Sequence, residues 1–273
     1  MRDETPWLRE MLDDDDDDLL GLFSDDETVL KRAVPHLIAR SREDADVEER
    51  LVELLETAVA EQNDDSVASV MTTIVLAESG STRAIAALMR CLALETDEAL
   101  QDAAQVALLR LGSAAIVRVM ESIGEDEIPS FNRAAYDLLG KVAVLEDTGL
   151  DHAVKDFLET RVELERHKAA RETGIEQLFR ASAYLGDRRQ IEIMKAVLAE
   201  DYGGHQPAIQ DAVELLEENT DGVPFIASMP PWQERYGWLF EDHRDEARVT
   251  RSASGAISLT PGGVGDEDER NSE

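Results

Sequence analysis

The residue types that most often carry chemistry are sparse in this sequence and form no recognisable metal site. The histidines occur singly, at His36, His152, His167, His205 and His243. Two ligands on one helix face would need a pair such as His-x-x-x-His or Cys-x-x-Cys, and neither pattern is present. His167, in the charged stretch "ELERHKAARE", is expected on a solvated helix face. These positions predict no metal site.

The remaining residues with catalytic potential also lack a defining pattern. The single cysteine, Cys91, lies among apolar neighbours in "ALMRCLALE", which favours a buried structural thiol over a nucleophile. The motifs Gly-x-Ser-x-Gly, Gly-x-Gly-x-x-Gly and the Walker loop are absent, and "PGGVG" at 261–265 has no following helix to present amides to a phosphate. With 60 acidic residues, carboxylate pairs occur at every spacing, so none identifies a general acid and base. The sequence predicts neither catalytic residues nor a cofactor.

Charge is the strongest compositional feature of the chain. Its 273 residues include 60 acidic and 27 basic ones, which give a formal net charge of −33, and only five of the basic residues are lysines. This composition resembles that of proteins from salt-in halophiles, in which molar salt screens repulsion between carboxylates. The alternative is an acidic protein whose charge sits in its tails, but carboxylates are spread through the predicted helices as well. A charge of this sign argues against nucleic acid as a partner.

The overall composition favours a helical protein of the cytoplasm. Apolar residues make up 43% of the chain and aromatic residues only 5%, with alanine and leucine dominant, as in packed helices. The N-terminus has no basic region followed by an apolar run, and no stretch approaches the ~20 uncharged apolar residues of a membrane span. We therefore expect a cytoplasmic protein with no membrane partner.

Apolar positions recur with the spacing of a repeated two-helix unit. In "VALLRLGSAAIVRVMESIG", Val106 to Gly124, one apolar helix is followed by Gly-Ser and then by a second apolar helix. If Ile116 is the reference position of the second helix, its equivalents are Ile85, Val154 and Ile191, at intervals of 31 to 38 residues. Positions three and seven residues further on are apolar in every unit except at Arg161. Each second helix is therefore predicted to carry one buried stripe.

Glycines mark the predicted junctions between the helices of each unit, where a left-handed residue closes a helix. They are Gly80, Gly112, Gly149 and Gly186, followed by Ser81, Ser113, Asp151 and Asp187 as predicted N-caps. Gly222 and Ile226 keep the same offset in a further degenerate unit, and a helix pair without the glycine precedes the series. These units predict an all-α fold over residues 25–226, an α-solenoid of about five to six helical hairpins. An irregular all-α bundle is the alternative.

The segment "AIAALMRCLALETDEALQDAAQVALLRLGSAAIVRVM", Ala84 to Met120, resembles HEAT-type repeats. It is most similar to the short HEAT-like repeats named after phycobilisome lyases, in which "A-L-x-x-L-G" closes one helix and an apolar second helix follows. The likeness is good over about residues 65–124, looser to about residue 220, and absent from the tails. It implies a right-handed α-solenoid whose second helices line a concave face.

The second helices carry an arginine-rich strip on the side that this resemblance makes concave. The candidate partner-binding residues there are Arg83, Arg90, Arg118, Arg188 and Arg189, with Glu121 and Lys155 on the same strip. The planar guanidinium binds carboxylates in pairs and stacks on rings, so such a strip would suit an acidic protein partner. The alternative is that these arginines pair with neighbouring carboxylates of this chain.

The two ends of the chain differ in composition from the repeats. Residues 1–24 are predicted to be an acidic, partly disordered segment, in which "PWLREML" and "LLGLF" can dock in a groove and the six aspartates at 13–18 form a solvated linker. Residues 227–260 contain "PPWQERYGWLFEDH", with candidate contacts at Trp232, Tyr236, Trp238 and Phe240. We favour a cap over the last hairpin, with a recognition motif as the alternative. Around Ser254-Gly255 the pattern predicts a small hairpin, and 261–273 a disordered tail.

These observations predict a non-catalytic protein–protein interaction scaffold or adaptor of a halophilic cell, with no cofactor and another protein as its partner. Two alternatives remain open. One is an enzyme on a HEAT-like scaffold, either bilin-lyase-like or DNA-glycosylase-like, and the other is a regulator whose acidic tails respond to salt.

Overall fold

The computed structural model of the chain describes residues 16–61, 66–94, 97–124, 129–166, 174–200 and 206–225, together with 238–239, 250–251 and 257–258. Within these residues the fold is all-α, with twelve α-helices and one pair of two-residue strands. No helix among the described residues is both long enough and apolar enough to cross a membrane. The predicted all-α class is confirmed.

The helices follow one another with short connections. They are α1 Asp17–Gly21, α2 Glu27–Glu43, α3 Ala45–Glu61, α4 Ser66–Ser79, α5 Ile85–Leu92, α6 Glu98–Leu111, α7 Ser113–Ser122, α8 Pro129–Leu139, α9 Thr148–Glu165, α10 Ile175–Tyr184, α11 Ile191–Ala199 and α12 Gln206–Glu218. Short 3₁₀ turns precede α5 (Thr82–Ala84), α9 (Val142–Leu145) and α11 (Arg188–Gln190). Strands β1 Thr250–Arg251 and β2 Ile257–Ser258 pair antiparallel, as the predicted hairpin requires.

Each helix packs mainly against helices close to it in the sequence. The first helices of the predicted pairs contact one another in two runs, α2 with α4 and α4 with α6, then α8 with α10 and α10 with α12. Among the second helices, α3 contacts α5, α5 contacts α7 and α7 contacts α9. Where the two runs of first helices meet, α8 packs against α5. The buried side chains of all these helices form one continuous apolar core.

Two of the predicted junctions are built in the same way. Gly80 and Gly186 have φ angles of +80° and +67°, and the amides of the following residues, Ser81 and Asp187, donate to carbonyls five residues back. Their side chains then cap the next turn, accepting from the amides of Ala84 and Arg189. A 3₁₀ turn and a second helix follow in both cases. The sequences "GSTRAI" and "GDRRQI" therefore encode one local structure twice.

Three of the predicted junction residues play other roles. Gly149 lies inside the first turn of α9, which is capped by Asp147 rather than by Asp151, and the left-handed residue there is Glu146 at φ +55°. Ser113 is the first residue of α7 and donates its hydroxyl to Asp147 over 2.9 Å instead of capping. The prediction was wrong at Gly149 and Asp151, because the longer connection between α8 and α9 forms the 3₁₀ turn Val142–Leu145 and ends in the cap Asp147. It was wrong at Ser113 because Gly112 is itself the N-cap of α7, so Ser113 is already helical.

The last described turns pack on the junction before α11. The amide of Phe225 donates to the Tyr184 carbonyl over 2.6 Å, and the two rings stack with their centroids 5.9 Å apart. Gly186 approaches Gly222 so closely that a Cβ at Gly186 would lie 2.7 Å from the Gly222 carbonyl oxygen. Gly222 also has a positive φ, of +63°, as the degenerate unit predicts. Ile226 lies outside the described residues.

Residues 16–24, the described end of the N-terminal segment, pack on α2. Leu19 and Leu22 are fully buried in the core. Asp16 receives two hydrogen bonds from the Arg40 guanidinium, at 2.8 and 2.9 Å, which lower the pKa of its carboxyl. Asp18 accepts a further bond from Arg40 at 3.1 Å. The end of the six-aspartate run is thus held by an ion pair, unlike the solvated linker expected there.

Candidate functional site

An open cleft of about 590 Å³ lies among α5, α7 and α8. Three of the arginines singled out from the sequence, Arg83, Arg90 and Arg118, line it together. The 3₁₀ turn before α5 carries Arg83, α5 carries Arg90, and α7 carries Arg118. The cleft is formed where α8 packs against α5 and α7, at the meeting point of the two runs of first helices.

The floor of the cleft is apolar and its rim is basic. Ile85 and Phe131 are buried side chains at its base, and Met89 packs against the core beside them. The guanidinium-bearing side chains keep exposed fractions of 58% for Arg83, 53% for Arg90 and 66% for Arg118. An apolar base with a few convergent polar groups is the usual make-up of a binding site.

Acidic side chains are missing from the described lining of this cleft. The contrast with the whole chain is large, because acidic residues outnumber basic ones by 60 to 27. The polar residues that join the three arginines in the lining are neutral, and they are Thr82, Ser122 and Asn132. The charged side chains in the described lining are therefore all basic, although the protein as a whole is strongly acidic.

Each of the three cleft arginines also has an acidic partner beside the cleft. Arg83 lies 3.6 Å from Glu48 through its Nε, and Arg90 contacts Glu56 through one terminal nitrogen. Arg118 pairs with Glu121 on the same helix over 2.8 Å. Pairing with carboxylates of the same chain, the alternative to partner binding in the sequence analysis, is therefore also observed at these arginines. Such exposed pairs contribute about 0–1 kcal/mol each and can be exchanged for contacts with a ligand.

Arg188 and Arg189 do not line the cleft but connect neighbouring parts of the chain. Arg189 contacts Asp187 at 2.8 Å and Asp156 at 2.9 Å, and these hydrogen bonds raise the pKa of its guanidinium. Arg188 donates to the carbonyl oxygen of Asn219 over 2.9 Å. The structure thus gives both residues intramolecular roles.

The aromatic segment is described only in part. Trp238 is half-buried and packs against the core, next to the buried Leu239. The cap over the last hairpin stays a prediction. Trp232, Tyr236 and Phe240 lie outside the described residues, so their contacts stay a prediction.

A buried polar cluster links α8, α9 and the start of α10. Arg161 donates to Glu165 over 3.1 Å and to the Tyr136 hydroxyl over 3.2 Å, and Tyr136 donates to the same Glu165 oxygen over 3.3 Å. The other carboxylate oxygen accepts from the Gly174 amide at 3.3 Å. Burial raises the pKa of Tyr136, so its hydroxyl stays a donor. Sequence reasoning missed this cluster, and its one signal was Arg161, the exception in the apolar stripe.

A second polar contact connects α6 to the end of α8. The Lys141 ammonium donates to Gln105 over 2.5 Å, and burial lowers the pKa of this lysine. Burial raises the pKa of Asp137, whose carboxylate lies 3.7 Å from Arg180. These groups connect consecutive first helices, and none of them lines the cleft.

No group of histidine, cysteine and carboxylate side chains that could hold a metal ion occurs in the part of the chain that the structure describes. Cys91 is fully buried, and burial raises the pKa of its thiol to about 12. A thiol in that state supplies no thiolate at neutral pH, as expected for a structural residue.

Comparisons of this chain with models of protein families, with characterised proteins and with solved structures find no match. The fold and the cleft are therefore the basis for any statement about function.

Proposed function

We propose that this chain is a non-catalytic adaptor, a right-handed HEAT-like α-solenoid of a halophilic cell that binds another protein in the cleft among α5, α7 and α8. The observation that carries the proposal is the convergence of Arg83, Arg90 and Arg118 on one apolar-floored cleft. All three belong to the second helices of consecutive pairs or to the turn that leads into one of them. In a solenoid these helices share one face, where partners bind.

Ion pairs that recur at one repeat length support the stacked arrangement. Arg90 and Glu56 are 34 residues apart and join α5 to α3, and Arg189 and Asp156 are 33 residues apart and join the turn before α11 to α9. On the first helices, Arg110 on α6 pairs with Glu78 on α4, 32 residues away. A separation near one repeat is what equivalent surfaces of consecutive units produce when each unit packs on the next.

The chemistry of the cleft supports protein binding. Arginine and aromatic residues are among the groups that contribute most at protein interfaces. A guanidinium has five N–H donors, and each acidic partner described above engages a single nitrogen of its arginine. Donors therefore remain for a ligand while the intramolecular pairs keep the side chains in place.

Site-specific photocrosslinking tests this proposal directly. A photoreactive amino acid at the exposed Ala86, inside the cleft, is compared with the same amino acid at Glu192, an exposed position on α11 outside the cleft lining. The extracts are prepared at molar KCl from cells of the organism that makes the protein. We expect the photoreactive residue at position 86 to form one crosslinked adduct in near-stoichiometric yield. The protein identified in that adduct, once purified, should bind this chain again without crosslinking. No adduct at position 86, or the same adducts from both positions, would contradict the adaptor function.

A further inference from the structure

The charge of the cleft defines the partner that it can accept. Three arginines and no acidic residue are found in its described lining, although acidic residues outnumber basic ones more than twofold in the chain. The acids that face these arginines, Glu48, Glu56 and Glu121, lie beside the cleft rather than in its lining. The charged groups that border the floor are therefore guanidinium groups.

We infer that the cleft binds an acidic amphipathic helix of the partner protein, with an apolar side chain on the floor and carboxylates against the arginines. This inference rests on the proposed adaptor function and adds the chemistry of the partner. Arginine forms paired hydrogen bonds with carboxylates, and Ile85, Met89 and Phe131 offer an apolar surface between them. An acidic helix with one apolar anchor matches both features.

The spacing of the arginines sets the pattern expected in that helix. Arg83 and Arg90 are seven residues apart along the turn and helix α5, which is about 10 Å along the axis. Met89 and Ala86 lie between them on the cleft side. A helix lying along α5 would satisfy both arginines with carboxylates two turns apart on one face, and would place an apolar side chain one turn from each.

Arg118 approaches the cleft from the opposite wall, on α7. Its side chain is 66% exposed, and its described ion pair is with Glu121, one turn along the same helix and 52% exposed. Replacement of Arg118 therefore removes a binding group without disturbing a contact between helices. Among the three cleft arginines, Arg118 is therefore the position where a substitution should affect ligand binding with the smallest effect on folding.

The test uses three synthetic helical peptides of about 18 residues, or about 27 Å, labelled with fluorescein. The first carries two glutamates seven residues apart with leucine between them, and a third glutamate on the neighbouring face toward Arg118. The second peptide has glutamine in place of those glutamates, and the third has lysine. Binding to the full-length protein is measured by anisotropy at molar KCl, where the Debye length is about 3 Å and the charge of the whole protein contributes little. We expect the glutamate peptide to bind about two- to fivefold more tightly than the glutamine peptide at molar KCl, because salt screens exposed ion pairs. The preference should rise toward about tenfold as the KCl concentration is lowered.

Matched variants locate the binding in the cleft. Arg118→Gln and Arg90→Gln should each weaken the glutamate peptide by about two- to fivefold and leave the glutamine peptide unchanged. Arg32→Gln, which removes an exposed arginine of α2 outside the cleft lining, changes the net charge equally and should have no effect. Circular dichroism of each variant confirms that the helices are retained.

Several outcomes would overturn the inference. Equal binding of the glutamate and glutamine peptides, or a glutamate peptide insensitive to Arg118→Gln, would show that carboxylates are not recognised. Displacement of the peptide by an oligonucleotide would reassign the cleft to nucleic acid, and a homodimer lost in Arg118→Gln would assign it to a second copy. If photocrosslinking at position 86 still yields one partner, only the acidic chemistry is wrong and the adaptor function stands.

Discussion

Replacement of Arg161 by leucine tests whether the repeat pattern or the tertiary surroundings of this residue determine its contribution to the free energy of unfolding. Leucine or isoleucine occupies the equivalent position of the other units, at Leu92, Ile123 and Leu198, so Arg161→Leu restores the apolar pattern. On the repeat pattern alone this change would be neutral or stabilising. We expect it to destabilise the protein by about 3–5 kcal/mol, because it removes one partner of a buried ion pair.

The magnitude follows from the surroundings of Glu165. Its side chain is 1% exposed and that of Arg161 is 13% exposed, so neither charge is well solvated. Without the guanidinium, the Glu165 carboxylate retains the Tyr136 hydroxyl and the Gly174 amide as donors but loses its bond to Arg161. A domain of this kind has about 5–15 kcal/mol of stability in total, so the loss is a large part of it.

The assay is urea unfolding followed by circular dichroism at a fixed, molar KCl concentration, since urea leaves the ionic strength unchanged. Equal m-values in the variants show that the same surface is exposed on unfolding. The matched control is Arg118→Leu, which removes an exposed ion pair and should cost less than about 1 kcal/mol.

A second variant makes the reasoning falsifiable. Arg161→Leu combined with Glu165→Gln removes both charges and keeps an amide oxygen that can accept from the Gly174 amide. It should recover part of the stability lost in the single variant, because no buried carboxylate remains. If Arg161→Leu is as stable as the natural protein, or if the double variant is less stable than the single one, the buried pair does not have the role assigned here.

Three further predictions concern the junctions, the N-terminal segment and the thiol. Gly112→Ala should cost about 1–3 kcal/mol in urea unfolding, since φ is +77° and ψ −155° there, whereas Gly149→Ala, inside the first turn of α9, should stabilise by about 0.4–1 kcal/mol. Asp16→Asn should lower the urea midpoint at neutral pH, and the gap between the midpoints of the variant and the natural protein should shrink as the pH falls below about 4. The hydrogen bond from Arg40 lowers the pKa of Asp16, so the ion pair stabilises the fold above the carboxyl's ordinary pKa and stops doing so once the carboxyl is protonated. Cys91, buried and with its pKa raised to about 12, should not react with a chromogenic disulfide reagent in the native protein and should react fully in urea.

The repeat pattern predicted the local structure well where the units share one sequence. The positions aligned from the sequence, Ile85, Ile116, Val154 and Ile191, are all buried, and the junctions at Gly80 and Gly186 have the expected geometry. These features depend on residues a few positions apart, so a short stretch of sequence is sufficient to specify them. The prediction was wrong at Ser113, and in the unit of α8 and α9, where extra residues form a 3₁₀ turn and Asp147 caps α9.

The candidate site could be predicted only in part. The sequence singled out Arg83, Arg90 and Arg118, but not that they share a cleft while Arg188 and Arg189 lie elsewhere. That division depends on α8, which packs against α5 and brings Phe131 to the base of the cleft. No pattern within α5 or α7 specifies where a later helix will pack.

By itself the sequence determined that the chain is helical, that the aligned positions Ile85, Ile116, Val154 and Ile191 are buried, and that the protein is strongly acidic. Apolar periodicity, turn residues and charge are local or additive properties, so they can be obtained without coordinates. Only the tertiary structure decided that Arg161 is buried with Glu165 and Tyr136, and that a basic cleft opens on an acidic molecule. Both depend on contacts between separate helices, because the surroundings of a charge are set by the side chains that packing brings next to it.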